Sequence, residues 1–591
     1  MIGFLRWGRS ILIGTLNGAA KFVLFLILVF GVLALIGLAE GDGLPRNMVL
    51  ALDLRHPIDD STPYDYVFTP RQVTVMDIVL GLDAAQRDPR VKGVVVRLGD
   101  SNLPIAQAEE IGAALKRFRS SGKFVIAHSQ GFDAPGLGDY LTATAADQIW
   151  MQPKSVFGAA GEGGGEIFLR GLLDKIQAVP QIAKRADYKS AADLFMEKNM
   201  TPADREQVTE LMQSWYDSAV AGAAADRRMS PKAMAAAFQA SPQFAEDARK
   251  SGLIDRVGYD DDAMDAAMSR AGGGAKSVAM NEFVHAKEQA SRFGDGTKIA
   301  LIEGSGEIRE GSNSGGLFGG DNVIASDDVA RAIREAAKDR SVKAILLRID
   351  SPGGSVTASD QILDAVKKAQ AKGIPVVVSM GAVAASGGYY VSSSADGIVA
   401  EPGTLTGSIG VLTGKVSIGK TLGLIGVGTD EVGVGRNALM DSSVTPYSPE
   451  QWAELNAQAD AIYADFKRKV AAGRKLSLDK VQEIARGRVW TGDDALTRGL
   501  VDRLGGFWTA ADMTRRLAKI APGERISFKR FPRRKSFFEA LSETFGDSSA
   551  TARAFQGLVT LLNSPLARAV VDASQEAPRG GTELRAVNLP R

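Results

Sequence analysis

The chain carries one pattern twice, and each copy must fold the same way. The stretch AAQRDPRVKGVVVRLGDS from Ala84 returns as AAKDRSVKAILLRIDS from Ala336. Val91 matches Val342 and Arg97 matches Arg348 within it, and Asp147 matches Asp396 and Pro153 matches Pro402 beyond it, with small gaps. SGLIDRVG from Ser251 returns as RGLVDRLG from Arg498, so the period is near 250 residues. That is too long for a solenoid and reads as two related domains.

Within each copy, β-branched runs such as Gly93–Leu98, Ala344–Ile349 and Pro375–Ser379 alternate with amphipathic stretches such as Ala106–Phe118 and Ala358–Ala369. Short apolar runs alternating with helices indicate an α/β fold with a buried, largely parallel sheet. The expected organisation is an N-terminal segment over 1–46, a first copy over 47–270 and a linker over 271–297, followed by a second copy over 298–530 and a tail over 531–591. The linker is placed by its glycines. The basic run Lys529–Lys535 reads as part of a solvated tail.

Phe22–Ala39 is an uncharged run of 18 residues. As a helix it extends roughly 27 Å, close to the thickness of a bilayer's hydrocarbon core. Arg6, Arg9 and Lys21 precede it, and Glu40 and Asp42 come after it. The positive-inside rule then puts the N-terminus in the cytoplasm and the body across the membrane. A cleavable signal peptide is the competing reading, because Gly37 and Ala39 are small. The run is long for a signal peptide, which favours a retained single-pass anchor.

Composition removes several chemistries. With 70 Lys plus Arg against 69 Asp plus Glu, the chain lacks the basic excess of a nucleic-acid binder. With no Cys there is no disulfide, thiolate metal site or Cys nucleophile. The three His (His56, His128 and His285) lie far apart in sequence and form no metal motif, which argues against a His-based triad. His128 reads as a strand residue. The Gly414–Thr421 segment satisfies the P-loop pattern, but Leu422–Gly426 beyond it leaves room for only a short helix, which argues against nucleotide binding.

The second copy keeps two features that the first has lost. Asp350-Ser-Pro-Gly-Gly-Ser355 comes after one strand, and Ala384-Ala-Ser-Gly-Gly-Tyr389 after another. Glycine beside a nucleophile lets the main chain approach a substrate and aim N–H groups at it. Gly354 and Gly387 are the candidates for such an oxyanion hole. At the matching places the first copy has Asn102-Leu103-Pro104 and Leu137-Gly138, so it supplies no nucleophile in this way.

These residues resemble the signal peptide peptidase A family in its long, duplicated form, within peptidase family S49. The resemblance rests on the two motifs just quoted, on Gly403-Thr-Leu-Thr-Gly-Ser-Ile-Gly410 and on Tyr188-Lys-Ser-Ala191, and it runs to about residue 520. Ala382 stands where many relatives carry Gly. The resemblance implies two tandem ClpP/crotonase-like domains, with Ser386 as nucleophile, Lys189 as general base and Ser408 orienting the lysine amine. It also implies a homotetramer that degrades remnant signal peptides at the periplasmic face of a bacterial inner membrane, without metal or organic cofactor.

The chemistry is sound in itself. A Lys amine is a poor base at neutral pH until burial lowers its pKa. It then takes the proton of a Ser hydroxyl. Lys189 aligns with Arg436 in the second copy, and Arg does not deprotonate in proteins. The two copies therefore have complementary losses, and neither half alone should be active. The rival readings are a crotonase-like acyl-CoA enzyme and a non-catalytic membrane scaffold.

Overall fold

The computed structural model describes residues 42–61, 73–99, 101–132, 136–290, 296–313 and 322–532. The apolar run Phe22–Ala39 and nearly all of the expected tail lie outside them. Among the described residues, no helix is long and apolar enough to cross a membrane.

The first copy contains β1 (Met48–Asp53), β2 (Val91–Leu98), β3 (Phe124–Ser129), β4 (Gln148–Met151), β5 (Val179–Arg185), β6 (Arg256–Val257) and β7 (Lys276–Ala279). All but β5 form one parallel sheet in the order β6-β4-β3-β2-β1-β7. Its helices include α1 (Val75–Arg87), α2 (Ile105–Arg119), α3 (Leu137–Thr144), α4 (Pro202–Arg227) and α5 (Met280–Ala290). Every side chain of β3 is buried, as expected of a strand covered on both faces. His128 is one of them, with Nε2 3.2 Å from the Gly258 carbonyl oxygen.

The second copy repeats the plan with β8 (Thr297–Ser305), β9 (Val342–Ser351), β10 (Val376–Ala385), β11 (Gly397–Ala400), β12 (Leu405–Gly407), β13 (Val411–Ser417), β14 (Val489–Trp490), β15 (Arg503–Leu504) and β16 (Ile526–Phe531). Its main sheet runs β14-β12-β10-β9-β8-β16, with β11 bridging β10 to β15. The helices named below are α6 (Ser326–Ala336), α7 (Val356–Gln370), α8 (Gly387–Ser392), α9 (Pro449–Arg474) and α10 (Phe507–Leu517).

The duplication extends to individual hydrogen bonds. Tyr140 donates its hydroxyl to Leu253 O at 2.8 Å, and Tyr389 donates to Leu500 O at 2.9 Å. Asp147 accepts the Val125 N–H, and Asp396 accepts the Val376 N–H, both at 2.8 Å. The helices α4 and α9 each span 26 residues, and each begins with proline behind a hydroxyl cap, Thr201 or Ser448. Proline suits that position because its missing N–H is one the helix could not use.

The stretch expected as a linker carries structure. β7 closes the edge of the first sheet beside β1, and α5 packs on α1, where Gly81 leaves room for Val284 and Met280. β7 is the counterpart of β16, which closes the second sheet beside β8. The glycines of 272–274 mark a turn before an edge strand, not the end of a domain. The basic run is also not wholly a tail. Arg530 lies in β16, pairing with Glu288 at 2.7 Å and Glu303 at 3.1 Å, and Phe531 is buried. The P-loop pattern dissolves likewise: Gly414 lies within β13, and Gly419–Leu424 is a single short helix.

Several contacts join the copies, two of them extensive. One hydrophobic cluster holds Leu82, Leu115 and Phe118 of the first copy together with Leu346, Val377 and Phe507 of the second. In addition, β5 leaves its own copy and pairs antiparallel with β13, with Arg185 opposite Val411 and Val179 opposite Ser417. This arm carries the chain directly to Lys189.

Candidate active site

Ser386 sits between the end of β10 and the start of α8, where the chain must turn sharply. Its φ of 54° and ψ of −114° are strained for a residue with a side chain. The turn is held by its N–H, which donates to Gly407 O at 2.9 Å, and by its carbonyl, which accepts the Tyr390 N–H at 2.8 Å. Only glycine fits against it at 353. A Cβ there would stand 2.6 Å from Gly387 N and 2.8 Å from Ser386 Cβ.

Lys189 arrives from the other copy. Past β5 the chain is tied down by Tyr188, whose N–H donates to Arg486 O at 3.1 Å, and by Gln207, whose amide donates to Tyr188 O and Ser190 Oγ at 3.0 Å each. Lys189 Nζ then stands 2.9 Å from Ser386 Oγ and 2.9 Å from Ser408 Oγ, and 3.2 Å from Ser408 O. Only 7% of Lys189 is exposed. Burial lowers its pKa from the usual 10.5 to about 8. A neutral amine is therefore accessible near physiological pH, hydrogen-bonded to the hydroxyl it would deprotonate.

Two glycines make room for the lysine chain. A Cβ on Gly487 would stand 2.6 Å from Lys189 Cβ, and one on Gly410 would stand 3.2 Å from Lys189 Cδ. Ser408 has a φ of 51°, and its N–H donates to Arg488 O at 2.8 Å. Sequence reasoning missed Gly353 and Gly487. Gly353 lies inside the Asp350–Ser355 motif, whereas nothing in the residues around Gly487 connects it to Lys189.

The oxyanion candidates lie side by side. A Cβ placed on Gly387 would be 3.1 Å from Gly354 N. Gly387 opens α8, so its N–H belongs to the first turn, which has no intrahelical acceptor. Ile308 pairs with the Gly354 segment through Gly353 O and Ser355 N–H, which leaves the Gly354 N–H out of that pairing. Gly354 and Gly387 thus lie close to Ser386, and paired main-chain N–H donors beside an attacking hydroxyl are what a tetrahedral oxyanion needs. The positions that align with Ser386 and Lys189 in the opposite copies differ as expected. Leu137 is buried at the head of α3, and Arg436 lies exposed after β13.

The model of Peptidase family S49 matches residues 117–273 and 368–521, and that of Clp protease matches 322–399. "Protease 4" of Salmonella typhi is 31% identical over all of this chain and 96% of its own length. "Serine protease SPPA, chloroplastic" of Arabidopsis thaliana is 29% identical over 78% of this chain and 68% of its own. A "Putative signal peptide peptidase SppA" of Enterococcus faecium is 33% identical over 33% of this chain and 57% of its own. Among solved structures, a membrane-bound stomatin-specific protease, 1510-N, covers 40% of this chain at 15% identity with a TM-score of 0.26. With a tandem α/β fold, a strained serine at a strand-to-helix turn and relatives named as proteases along its full length, this chain belongs to peptidase family S49 and is a serine endopeptidase.

Proposed function

We propose that Ser386 is the nucleophile and Lys189 the general base of a dyad shared by the two copies. Lys189 takes the hydroxyl proton as Ser386 attacks the scissile carbonyl, and then delivers it to the leaving amine. The N–H groups of Gly354 and Gly387 hold the oxyanion, and Ser408 fixes the amine. Water then hydrolyses the acyl-enzyme by the same proton route. The observation that carries this reading is the 2.9 Å approach of a buried Lys189 to Ser386.

The substrates on this reading are remnant signal peptides and other hydrophobic peptides. The chain is anchored by Phe22–Ala39 in a bacterial inner membrane, with its catalytic body on the periplasmic side. Support comes from the uncharged run with its flanking charges and from the name of the Enterococcus relative.

The assembly on this reading is a homotetramer. The spacing that relates Pro202 to Pro449 puts the counterpart of β5 at residues 426–432, which carry no strand. Val432 at its end and Val434 just beyond it are 90% and 95% exposed. The segment matching β13 in the first copy also carries no strand, and Ile167 there is 53% exposed. A β5–β13-like pairing repeated between chains is head-to-tail, the kind of contact from which a closed ring is built when its rotation closes.

The test is hydrolysis of a fluorogenic peptide with an apolar residue before the scissile bond by the full chain in detergent. Loss of cleavage in both Ser386→Ala and Lys189→Ala, with circular dichroism unchanged, is expected. Activity surviving in Lys189→Ala would place the base elsewhere. For the ring, Val432→Asp with Val434→Asp should reduce the mass measured by light scattering, and an unchanged mass would sink that arrangement.

A further inference from the structure

Arg348 is a fully buried charge of the second copy, yet its ion-pair partners come from the first. Its Nε donates to Asp60 Oδ2 at 2.9 Å, and its Nη2 donates to Asp60 Oδ1 at 2.5 Å and Glu110 Oε2 at 2.6 Å. Within its own copy it donates to Ser379 Oγ at 2.9 Å and Met380 O at 3.0 Å. Its repeat counterpart Arg97 is half-buried and pairs with Asp260 of its own copy at 2.9 Å. The second copy therefore fixes this point of its sheet through the first.

Asp350 lies two residues further along β9. The β9–β10 ladder runs from Ile345 opposite Val376 to Ile349 opposite Met380, then resumes at Ser351 opposite Ala384. Between these pairs, Asp350 alone faces Gly381, Ala382 and Val383. The regular main-chain pairing is interrupted, and the side chain substitutes for it: Asp350 Oδ1 accepts the Val383 N–H at 2.9 Å. Gly381 makes space for the carboxylate, since a Cβ there would stand 2.6 Å from Oδ1. Both flanks of this staple lead to the chemistry. Asp350 starts the Ser351–Gly354 segment, and Val383 lies three residues before Ser386.

We propose that Asp350 is a positioning residue whose carboxyl group replaces the missing ladder acceptor and so fixes the Gly354 N–H relative to Ser386, steadied by Arg348 and, through it, by Asp60 and Glu110 of the first copy. This rests on the roles given above to Ser386 and Gly354. Burial and the nearby Asp60 charge push the Asp350 carboxyl up to about 7, while the Val383 N–H and Arg348 act in the opposite sense. Protonated or not, the group keeps an oxygen able to accept, so a carboxamide should serve in its place. The first copy then contributes a scaffold for the oxyanion loop as well as the lysine.

The test compares Asp350→Ala, Asp350→Asn and Ser386→Ala in the full chain, reading kcat and KM separately. Small displacements of reacting groups cost rate far more than binding, so Asp350→Ala should lose about 100-fold in kcat with KM within about 3-fold. Asp350→Asn should recover kcat to within about 5-fold of the parent. Asp350→Ala at parental kcat, or Asp350→Asn as slow as Asp350→Ala, overturns the proposal. If Asp350→Ala does not fold, Asp350→Glu decides. Its longer reach displaces the acceptor and should lower kcat at unchanged KM, whereas parental kcat overturns the proposal. Activity persisting in Ser386→Ala would instead overturn the underlying dyad, a separate result.

Discussion

Lys189 Nζ lies 2.9 Å from Ser386 Oγ, although 197 residues separate them and they belong to different copies. The only cause lowering the lysine's pKa is burial. On the proposed mechanism Lys189 works through its neutral fraction, so kcat/KM should rise about tenfold per pH unit below pH 8 and level off above it. Lys189→Arg should be inactive at every pH, because a guanidinium stays charged. A pH–rate profile of parent and variant checks both. A parental profile flat from pH 6 to 9 would be incompatible with this base.

The same burial has a consequence for stability. The folded pKa is about 8 and the ordinary value 10.5. Between those values the unfolded chain holds a proton that the folded chain has shed, so stability rises with pH across that window. Below pH 8 both states carry the proton, and the folded state bears the whole penalty, about 3 kcal/mol. Lys189→Met should therefore stabilise the protein at pH 7 by up to about 3 kcal/mol, with the gain shrinking toward pH 10. Urea midpoints of parent and variant at pH 7 and pH 9.5 would reveal it.

Gly487 offers a way to move Lys189 without altering it. Its φ is +77°, and an added Cβ would stand 2.6 Å from Lys189 Cβ and 2.7 Å from Lys189 N. Gly487→Ala should cost about 1–3 kcal/mol in stability. It should also lower kcat/KM by roughly 100-fold, since displacing a catalytic group by an ångström has that effect. Steady-state kinetics beside a thermal melt separates the two effects.

Much of this is legible in the sequence because duplication supplies an internal comparison. Leu137 against Ser386, and Arg436 against Lys189, are differences that one copy alone could not reveal. The α/β alternation is readable because parallel strands buried on both faces become continuous apolar runs, as in Val376–Val378. Edge strands give no such signal. β7 and β16 are short, half-polar and paired on one side, so β7 reads as linker and the basic residues of β16 as tail. The Asp60–Arg348–Glu110 cluster is invisible for another reason. Its members converge only when α2 packs against the other copy's sheet, and no local pattern encodes that.

Gly414 shows how a local pattern misleads when tertiary packing chose the residue. It completes a P-loop pattern, yet it sits in β13 with a φ of +153°. A Cβ there would stand 2.2 Å from Gln181 O and 2.6 Å from Ile182 Cα, so glycine is present because β5 crosses at that point. Gly414→Ala should therefore push the two strands apart in the arm that delivers Lys189. The copies retain their shared hydrophobic cluster, so the fold should survive with a loss of about 1–3 kcal/mol. On the proposed mechanism hydrolysis should fall at least 10-fold, because Lys189 is no longer held against Ser386. Amide exchange at Val179–Arg185 should quicken, while exchange in β9 and β10 stays slow. Full activity with unaltered exchange in the arm would mean that β5–β13 pairing does not set the position of Lys189.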